Sequence, residues 1–421
     1  MKKNEKILVG NIDGKRQKYL SRMIIAFSLM FLFFSQSLFA LDRKDAENIS
    51  KNIERDFEAA EIVSDSFNIT GNIEEYLIYA ALNNPGLKAT FYFWKASLEK
   101  TGYAGALPDP ILSYGYFIEN VETRVGPQEW KLSLKQTIPW MGTLNAKKDI
   151  ANEEANTAFR KFQAEKLRLF YSIKAAYYDL YYLGREIALT NDNLELLKFW
   201  ATVVRTRYKV ALNAHPDIIK AEVELAKLED RLESLQEQVR PIAADLKALA
   251  NLPKRTLIAI PETIDITESE VELQEILNET LQNNPDLNAM VHLIDKERAG
   301  VRLAGKTNLP NFTISVDYIE TGDAINPSMD ESGKDPWVVG VGINLPLWFG
   351  KNGAKKDEAK AKLQAAEYRH AETQNRLEVL VEKIVFEYSD ALRKVRLYRD
   401  GLIPKAEQDR KSTRLNSSHR L

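Results

Sequence analysis

Two pairs of short segments in this 421-residue chain alternate apolar and polar residues, while nearly everything else reads as helix. The pairs are 111–118 with 130–138 and 312–319 with 337–345. In the second segment Trp130, Leu132, Leu134 and Ile138 oppose Lys131, Ser133, Lys135 and Thr137. In the third, Phe312, Ile314, Val316 and Tyr318 oppose Thr313, Ser315 and Asp317, and in the fourth Trp337, Val339, Val341, Ile343 and Leu345 oppose Gly340, Gly342 and Asn344. Only the first is ambiguous, with Leu112, Tyr114, Tyr116 and Ile118 against Ile111, Ser113, Gly115 and Phe117. Successive strand side chains point to opposite faces, so each segment is a strand with one apolar face.

A soluble sheet with one wet face gives the same alternation. The segments are also close to the ~9–11 residues that a tilted strand needs to cross a bilayer, and Trp130 and Trp337 sit at matching ends, as interfacial aromatics do. Lipid does not tolerate an open sheet edge, and four strands cannot close on themselves. If these strands span a membrane, several chains must share one barrel.

Composition narrows the alternatives. With 58 Lys+Arg against 60 Asp+Glu, the charge is balanced, which argues against a nucleic-acid partner. The absence of cysteine excludes disulfides, thiolate metal sites and cysteine nucleophiles. His215, His292, His370 and His419 are scattered without metal-ligand spacing, and no nucleophile elbow or phosphate loop occurs, so no catalytic residue, metal or cofactor is expected. Lys2, Lys3, Lys6, Lys15, Arg16, Lys18 and Arg22 precede an apolar run at 23–34 and a small residue at Ala40; residues 1–40 read as an export signal. No later stretch approaches a spanning helix, so any further membrane insertion must use strands.

After a polar leader at 41–75 the chain states one plan twice. Asn83-Asn84-Pro85-x-Leu87-x-Ala89 recurs as Asn283-Asn284-Pro285-x-Leu287-x-Ala289, with the asparagine suited to cap a helix that proline opens. Leu107-Pro108 matches Leu309-Pro310, and Gly142-x-x-x-Ala146-Lys147-Lys148 matches Gly350-x-x-x-Ala354-Lys355-Lys356. The first repeat spans 76–251. A helix from about 145 to 209 has a single glycine, Gly184, and apolar positions at Phe159, Phe162, Leu167, Phe170, Ile173, Ala176, Tyr177 and Leu180; at 1.5 Å per residue it is ~100 Å long. A tip at 211–216 turns it into a second helix lined by Leu225, Leu228, Leu232 and Leu235. A connector at 252–272 leads to the second repeat, 273–409, whose helix runs from about 353 to 400. That repeat is cut short of its own tip and returning helix. Residues 410–421 are Ser-, Arg- and Asn-rich, lack helical periodicity, and resemble translated sequencing-adapter read-through; a native continuation is expected in their place.

The duplicated strand pair and long hairpin, the Asn-Pro-x-Leu helix starts and the export signal together resemble the TolC-type outer-membrane efflux proteins. The most specific stretches are Arg207-Tyr208-Lys209-Val210-Ala211-Leu212-x4-Asp217-Ile218-x2-Ala221, similar to that family's hairpin tip, and Ile343-Asn344-Leu345-Pro346-Leu347-x-x-Gly350, similar to its strand-to-helix corner. Ala211 stands where the family usually has glycine, and alanine is the costlier residue for a left-handed turn. The resemblance implies a mainly α protein with a small β part. Each chain would give four strands to a homotrimeric twelve-stranded outer-membrane barrel, continued by a periplasmic helical tube. That tube would meet a periplasmic adaptor and an inner-membrane pump of a tripartite efflux or type I secretion system, with no cofactor.

The resemblance makes the tip residues Arg207, Tyr208, Ala211, Leu212 and Asp217 candidates for a gate or adaptor contact. Asp217 would pair with Arg or Tyr on a neighbouring hairpin, although the same residue serves equally to cap the returning helix. Lys131, Lys135 and Asp317 would face the barrel lumen, either keeping the wall wet or tuning selectivity. Tyr177, Tyr178, Tyr181 and Tyr182 read as packing between helices. The alternative of a different class is a periplasmic coiled-coil scaffold whose strands form a soluble sheet.

Overall fold

The computed structural model describes residues 43–63, 71–209, 215–264, 268–326 and 328–418; the export signal falls outside them. In chain order the elements are α1 (Arg43–Val63), α2 (Ile73–Asn83), α3 (Pro85–Tyr103), β1 (Ile111–Thr123), β2 (Gly126–Ile138), α4 (Thr143–Lys209), α5 (His215–Ala250), α6 (Leu273–Asn283), α7 (Pro285–Gly305), β3 (Phe312–Thr321), β4 (Trp337–Ile343), α8 (Phe349–Arg396) and α9 (Ile403–Ser418). A π-helical turn, Leu397–Leu402, joins the last two. Two compact units form, one from the described residues up to Ala89 with Glu165–264, the other from Thr90–Ala164 with the residues from Glu268 onward.

The duplicated Asn-Pro motif does the same work in both copies. Asn84 and Asn284 have the same extended backbone, with φ −64° and ψ 122° and 121°. Each closes one helix through its own N–H, to Ala80 and Thr280. Each then accepts a bond on its side chain from the N–H three residues on, Leu87 at 2.8 Å and Leu287 at 3.1 Å. The proline that follows has no N–H to leave unsatisfied. One residue thus ends one helix and begins the next.

In the first unit this joint is bolted to the hairpin. Asn84 donates to the Leu249 carbonyl at 2.9 Å, and Asn251, in a left-handed conformation at φ 54°, donates to that of Asn83 at 3.0 Å. Tyr76, Leu87, Leu246 and Ala250 are buried in this unit. The Tyr177 hydroxyl donates to the Gly71 carbonyl at 3.1 Å. Gly184 is the one place in α4 where a side chain has no room: a Cβ there would lie 2.3 Å from Cγ2 of Ile260 in the connector. Along α5, Leu225, Leu228 and Leu232 are half-buried and Leu235 is buried. On α4 the buried stripe differs from the expected one, since Leu167 is exposed and the stripe runs instead through Lys166, Leu169 and Ile173.

The second unit holds the sheet and an aromatic knot under it. Trp94 lies 4.7 Å from Phe159 and 6.1 Å from Phe162, and Phe91 lies 5.9 Å from Phe162. Helix α7 of the second repeat is tied to the first turns of α4 by His292–Glu153 and Arg302–Asp149, both at 2.8 Å. The four strands form one antiparallel sheet in the order β1-β2-β3-β4. The first hairpin is longer than the alternation indicated: β1 runs on to Thr123 past a bulge between Tyr116 and Val121, and β2 starts at Gly126. The bulge breaks period 2, which is why the outer part was not readable. Gly126, at φ 135°, is required there because a Cβ would meet the Gly322 carbonyl oxygen at 1.8 Å. Strand β4 stops at Ile343, short of Leu345. Residues 410–418, expected to lack helix, continue α9, and the helical path passes through Leu402-Ile403-Pro404 by the π turn instead of breaking there.

Two stability predictions follow from these contacts. Asn84→Ala removes a cap worth ~1 kcal/mol and also the bond to Leu249, whereas Asn284→Ala removes the cap alone. Urea midpoints measured in detergent should fall further for the first than for the second, and equal losses would contradict the bolted joint. Lys166 is 7% exposed, and burial pushes its ammonium from the usual 10.5 down to about 8 despite the Phe170 ring 5.4 Å away. The unfolded chain binds the extra proton between those two values, so the cost of burying the charge is full below pH 8 and relieved as pH rises toward 10.5. Lys166→Met should therefore raise the melting temperature at pH 7, by an amount that shrinks by pH 10; a pH-independent gain would contradict it.

Candidate functional site

The register sorts the sheet into two faces. Tyr114 pairs with Leu132, Leu132 with Tyr318 and Tyr318 with Trp337, so the ambiguous first strand puts Leu112, Tyr114 and Tyr116 on the apolar side. That side is bare: Trp337, Val339 and Val341 are 70%, 73% and 76% exposed. Leaving such residues in water costs ~1.5–3 kcal/mol for each large side chain relative to burial. A row of rings crosses all four strands at one level, with Tyr114–Trp130, Trp130–Tyr318 and Tyr318–Trp337 centroids 6.0, 5.3 and 5.2 Å apart. The Tyr318 hydroxyl is hydrogen-bonded to Glu320 and, at 2.7 Å, to Asp335, which also takes the Thr321 N–H at 2.8 Å. Apolar below and wet above, this row has the character of an interfacial girdle. Among the described residues no helix is long and apolar enough to cross a membrane.

The other face is polar across the strands. Ser113, Ser133 and Asp317 share one row, and Ile111, Lys135, Ser315 and Gly340 the next. Lys131 and Asp317, two of the three residues expected here, form an ion pair at 3.1 Å. Lys135 is exposed and has no acidic partner within salt-bridge distance among the described residues. A Cβ at Gly340 would come within 2.5 Å of the Ser315 hydroxyl, which would have to turn away. Both outer strands, β1 and β4, have one unpaired edge in the chain.

At the far end of the hairpin, Arg207 and Tyr208 lie in the last turn of α4, and the Tyr208 ring is 5.7 Å from that of His215. Asp217 sits inside the first turn of α5, which begins at His215; it faces the positive helix end and does not occupy the cap position itself. Ala211 and Leu212 lie outside the described residues. Sequence reasoning passed over the ties between the two arms, Arg205–Glu222 at 2.8 Å and Arg231–Glu186 at 2.6 Å. Their signal is a pair of opposite charges on facing helices, legible only once the hairpin's register is known.

A second missed feature straps the connector to the end of α8. Glu268 takes both Arg396 donors, at 3.2 and 3.1 Å, and Arg399 at 2.7 Å. Arg399 is also forked onto Asp400. The Ser269 N–H donates to the Tyr388 hydroxyl at 3.1 Å, which donates back to the Ser269 carbonyl at 2.9 Å. The strap thus grips the helix immediately before and within the π turn. The Arg399 and Arg396 guanidinium groups hold the Glu268 carboxyl below its usual 4.5.

The chain thus combines a short antiparallel sheet, apolar on one face and polar on the other, with a long helical hairpin and a duplicated Asn-Pro joint. Residues 276–412 match the family described as outer membrane efflux protein (OEP). The fold resembles VceC, an outer membrane protein from Vibrio cholerae, with a TM-score of 0.65 at 20% identity over 80% of this chain and 83% of that one. It also resembles the CmeC outer membrane channel of Campylobacter jejuni, with a TM-score of 0.63 at 15% identity over 82% of this chain and 76% of that one. A curated relative, nodulation protein T of Rhizobium leguminosarum bv. trifolii, is 21% identical over 273 residues, 62% of this chain and 57% of that protein. The chain thus spans little more than half the length of that relative. Sequence and fold together thus liken residues 276–412 to outer membrane efflux proteins and give the chain the fold of the outer-membrane channels it resembles.

The strap carries its own pH test. Because the folded Glu268 pKa is lowered, its stabilisation is present above about 4.5 and is lost as pH falls through the lower folded value. Protection of the Ser269 amide, corrected for intrinsic exchange, should drop on acidification in the wild type and be low and flat in Glu268→Gln. Equal protection in the two at pH 7 would show that the strap does not hold.

Proposed function

We propose that the chain is the outer-membrane component of a tripartite efflux or type I secretion system, a passive exit duct. Three copies complete a twelve-stranded barrel with the apolar face toward lipid and the polar face toward a water-filled lumen. The helical hairpins continue the duct into the periplasm. There it receives substrates from an inner-membrane pump through a periplasmic adaptor. The observation that carries this reading is the sheet itself. Its apolar face is exposed and both its edges are open: water leaves the face uncovered, and lipid leaves the edges unpaired unless further strands are supplied.

The tips form the periplasmic mouth in this reading. Asp217 pairs with Arg or Tyr on an adjacent hairpin to hold it shut, with Arg207, Tyr208, Ala211 and Leu212 contributing to gate or adaptor contacts, and outward movement of the tips opens it.

Fractionation with semi-native electrophoresis tests the assembly. The protein should partition with outer membranes, require detergent, and migrate unheated at about three times the mass of its heated form. A water-soluble monomer without conductance in bilayers would overturn the proposal and favour a periplasmic scaffold.

A further inference from the structure

On the polar face of the sheet, two lysines and one aspartate lie on the neighbouring strands β2 and β3. Lys131 is neutralised by Asp317 at 3.1 Å. Lys135 lies four residues on along β2, and its row contains only Ile111, Ser315 and Gly340 beside it. Serine and glycine leave the lysine stem free to extend over the wall, and the side chain is exposed. Of the two lysines, Lys135 is the one without an ion-pair partner among the described residues.

We infer that Lys135 sets an anion preference in the lumen of the barrel. The inference rests on the channel reading above. In a trimer the residue recurs three times at one height and forms a ring of like charge around the pore. A ring of one sign, backed by a low-dielectric wall, raises the local concentration of the opposite ion. Its reach is set by screening: the Debye length is ~30 Å at 0.01 M ionic strength but ~3 Å at 1 M. The preference therefore belongs to low salt and fades at high salt. The Lys131–Asp317 pair contributes little at a distance, because its two charges lie close enough to act as a dipole.

The test is the reversal potential of the full-length purified channel in planar bilayers under a KCl gradient. Charges elsewhere along the conduit are common to every variant, so the comparison isolates position 135. Relative to wild type, Lys135→Glu should lower the chloride-to-potassium permeability ratio by about threefold or more near 0.01 M salt, with the difference collapsing at 1 M. Lys135→Gln should shift it in the same direction by less, and Lys135→Arg should leave it where it was. Lys135→Gln also serves if the glutamate variant does not assemble. A conducting Lys135→Glu or Lys135→Gln variant whose ratio matches wild type, or a difference that persists at 1 M, would overturn the inference while leaving the channel standing. A wild-type protein that passes no current would overturn the channel reading itself.

Discussion

Unsatisfied backbone groups at two sheet edges govern this molecule. Each strand residue carries one donor and one acceptor, and in lipid there is no water to take either. β2 and β3 have neighbours on both sides, while β1 and β4 have one each. The outward face adds a second demand, because a band of exposed Val, Leu and aromatic side chains is unfavourable in water. Lipid satisfies the face but worsens the edges; water does the reverse. Only an environment that supplies both lipid and further strands meets the two demands together, and the solved structure the fold resembles is an outer membrane protein.

The helical part shows how a duplicated local code is put to different uses. Asn84 and Asn284 have matching dihedral angles and the same cap bond. What differs is the amide nitrogen: that of Asn84 reaches the end of the first hairpin, whereas that of Asn284 has no such bond recorded among the described residues. A side chain with both donor and acceptor can keep its helix-starting duty while its other end acquires a tertiary one.

The sequence yielded periodic features well and single contacts poorly. Alternation in β2, β3 and β4 placed the right residues on each face because side-chain direction follows from backbone pleat alone. β1 stayed ambiguous until its partner fixed the register, since Phe117 and Ile118 lie within a bulge where period 2 fails. Leu167 looked like core, but the stripe drifts along so long a helix and took in Lys166 instead, so an apolar residue faces solvent while a charged one is buried. Lys131, Lys135 and Asp317 were legible as sharing a face, yet which lysine pairs with the aspartate depends on cross-strand geometry. Glu268 left no trace, because a connector has no periodicity and its arginine partners are more than a hundred residues away. Nor could the π turn at Leu397–Leu402 be read, where Pro404 pointed to an end of the helix.

The bulge in β1 bears on how copies would meet. Below it, β1 pairs regularly with β2 over Ile111–Tyr116, six residues; β4, the opposite edge, is seven residues long. In the proposed ring β1 of one copy faces β4 of the next, and these regular stretches are nearly equal in length, so neither leaves a long unpaired overhang inside the bilayer. Beyond the bulge β1 resumes its pairing with β2 in a shifted register, up to the tight corner at Gly126, where the Gly322 backbone closes in. The interruption therefore confines the sticky part of the edge to the height at which a neighbour can cover it. It also leaves the outer hairpin, held by Gly322 N–H to the Pro127 carbonyl and Gly333 N–H to that of Val125, both at 2.8 Å, as a self-contained rim. An unbulged β1 of thirteen residues would instead expose an edge almost twice as long as any β4 could pair.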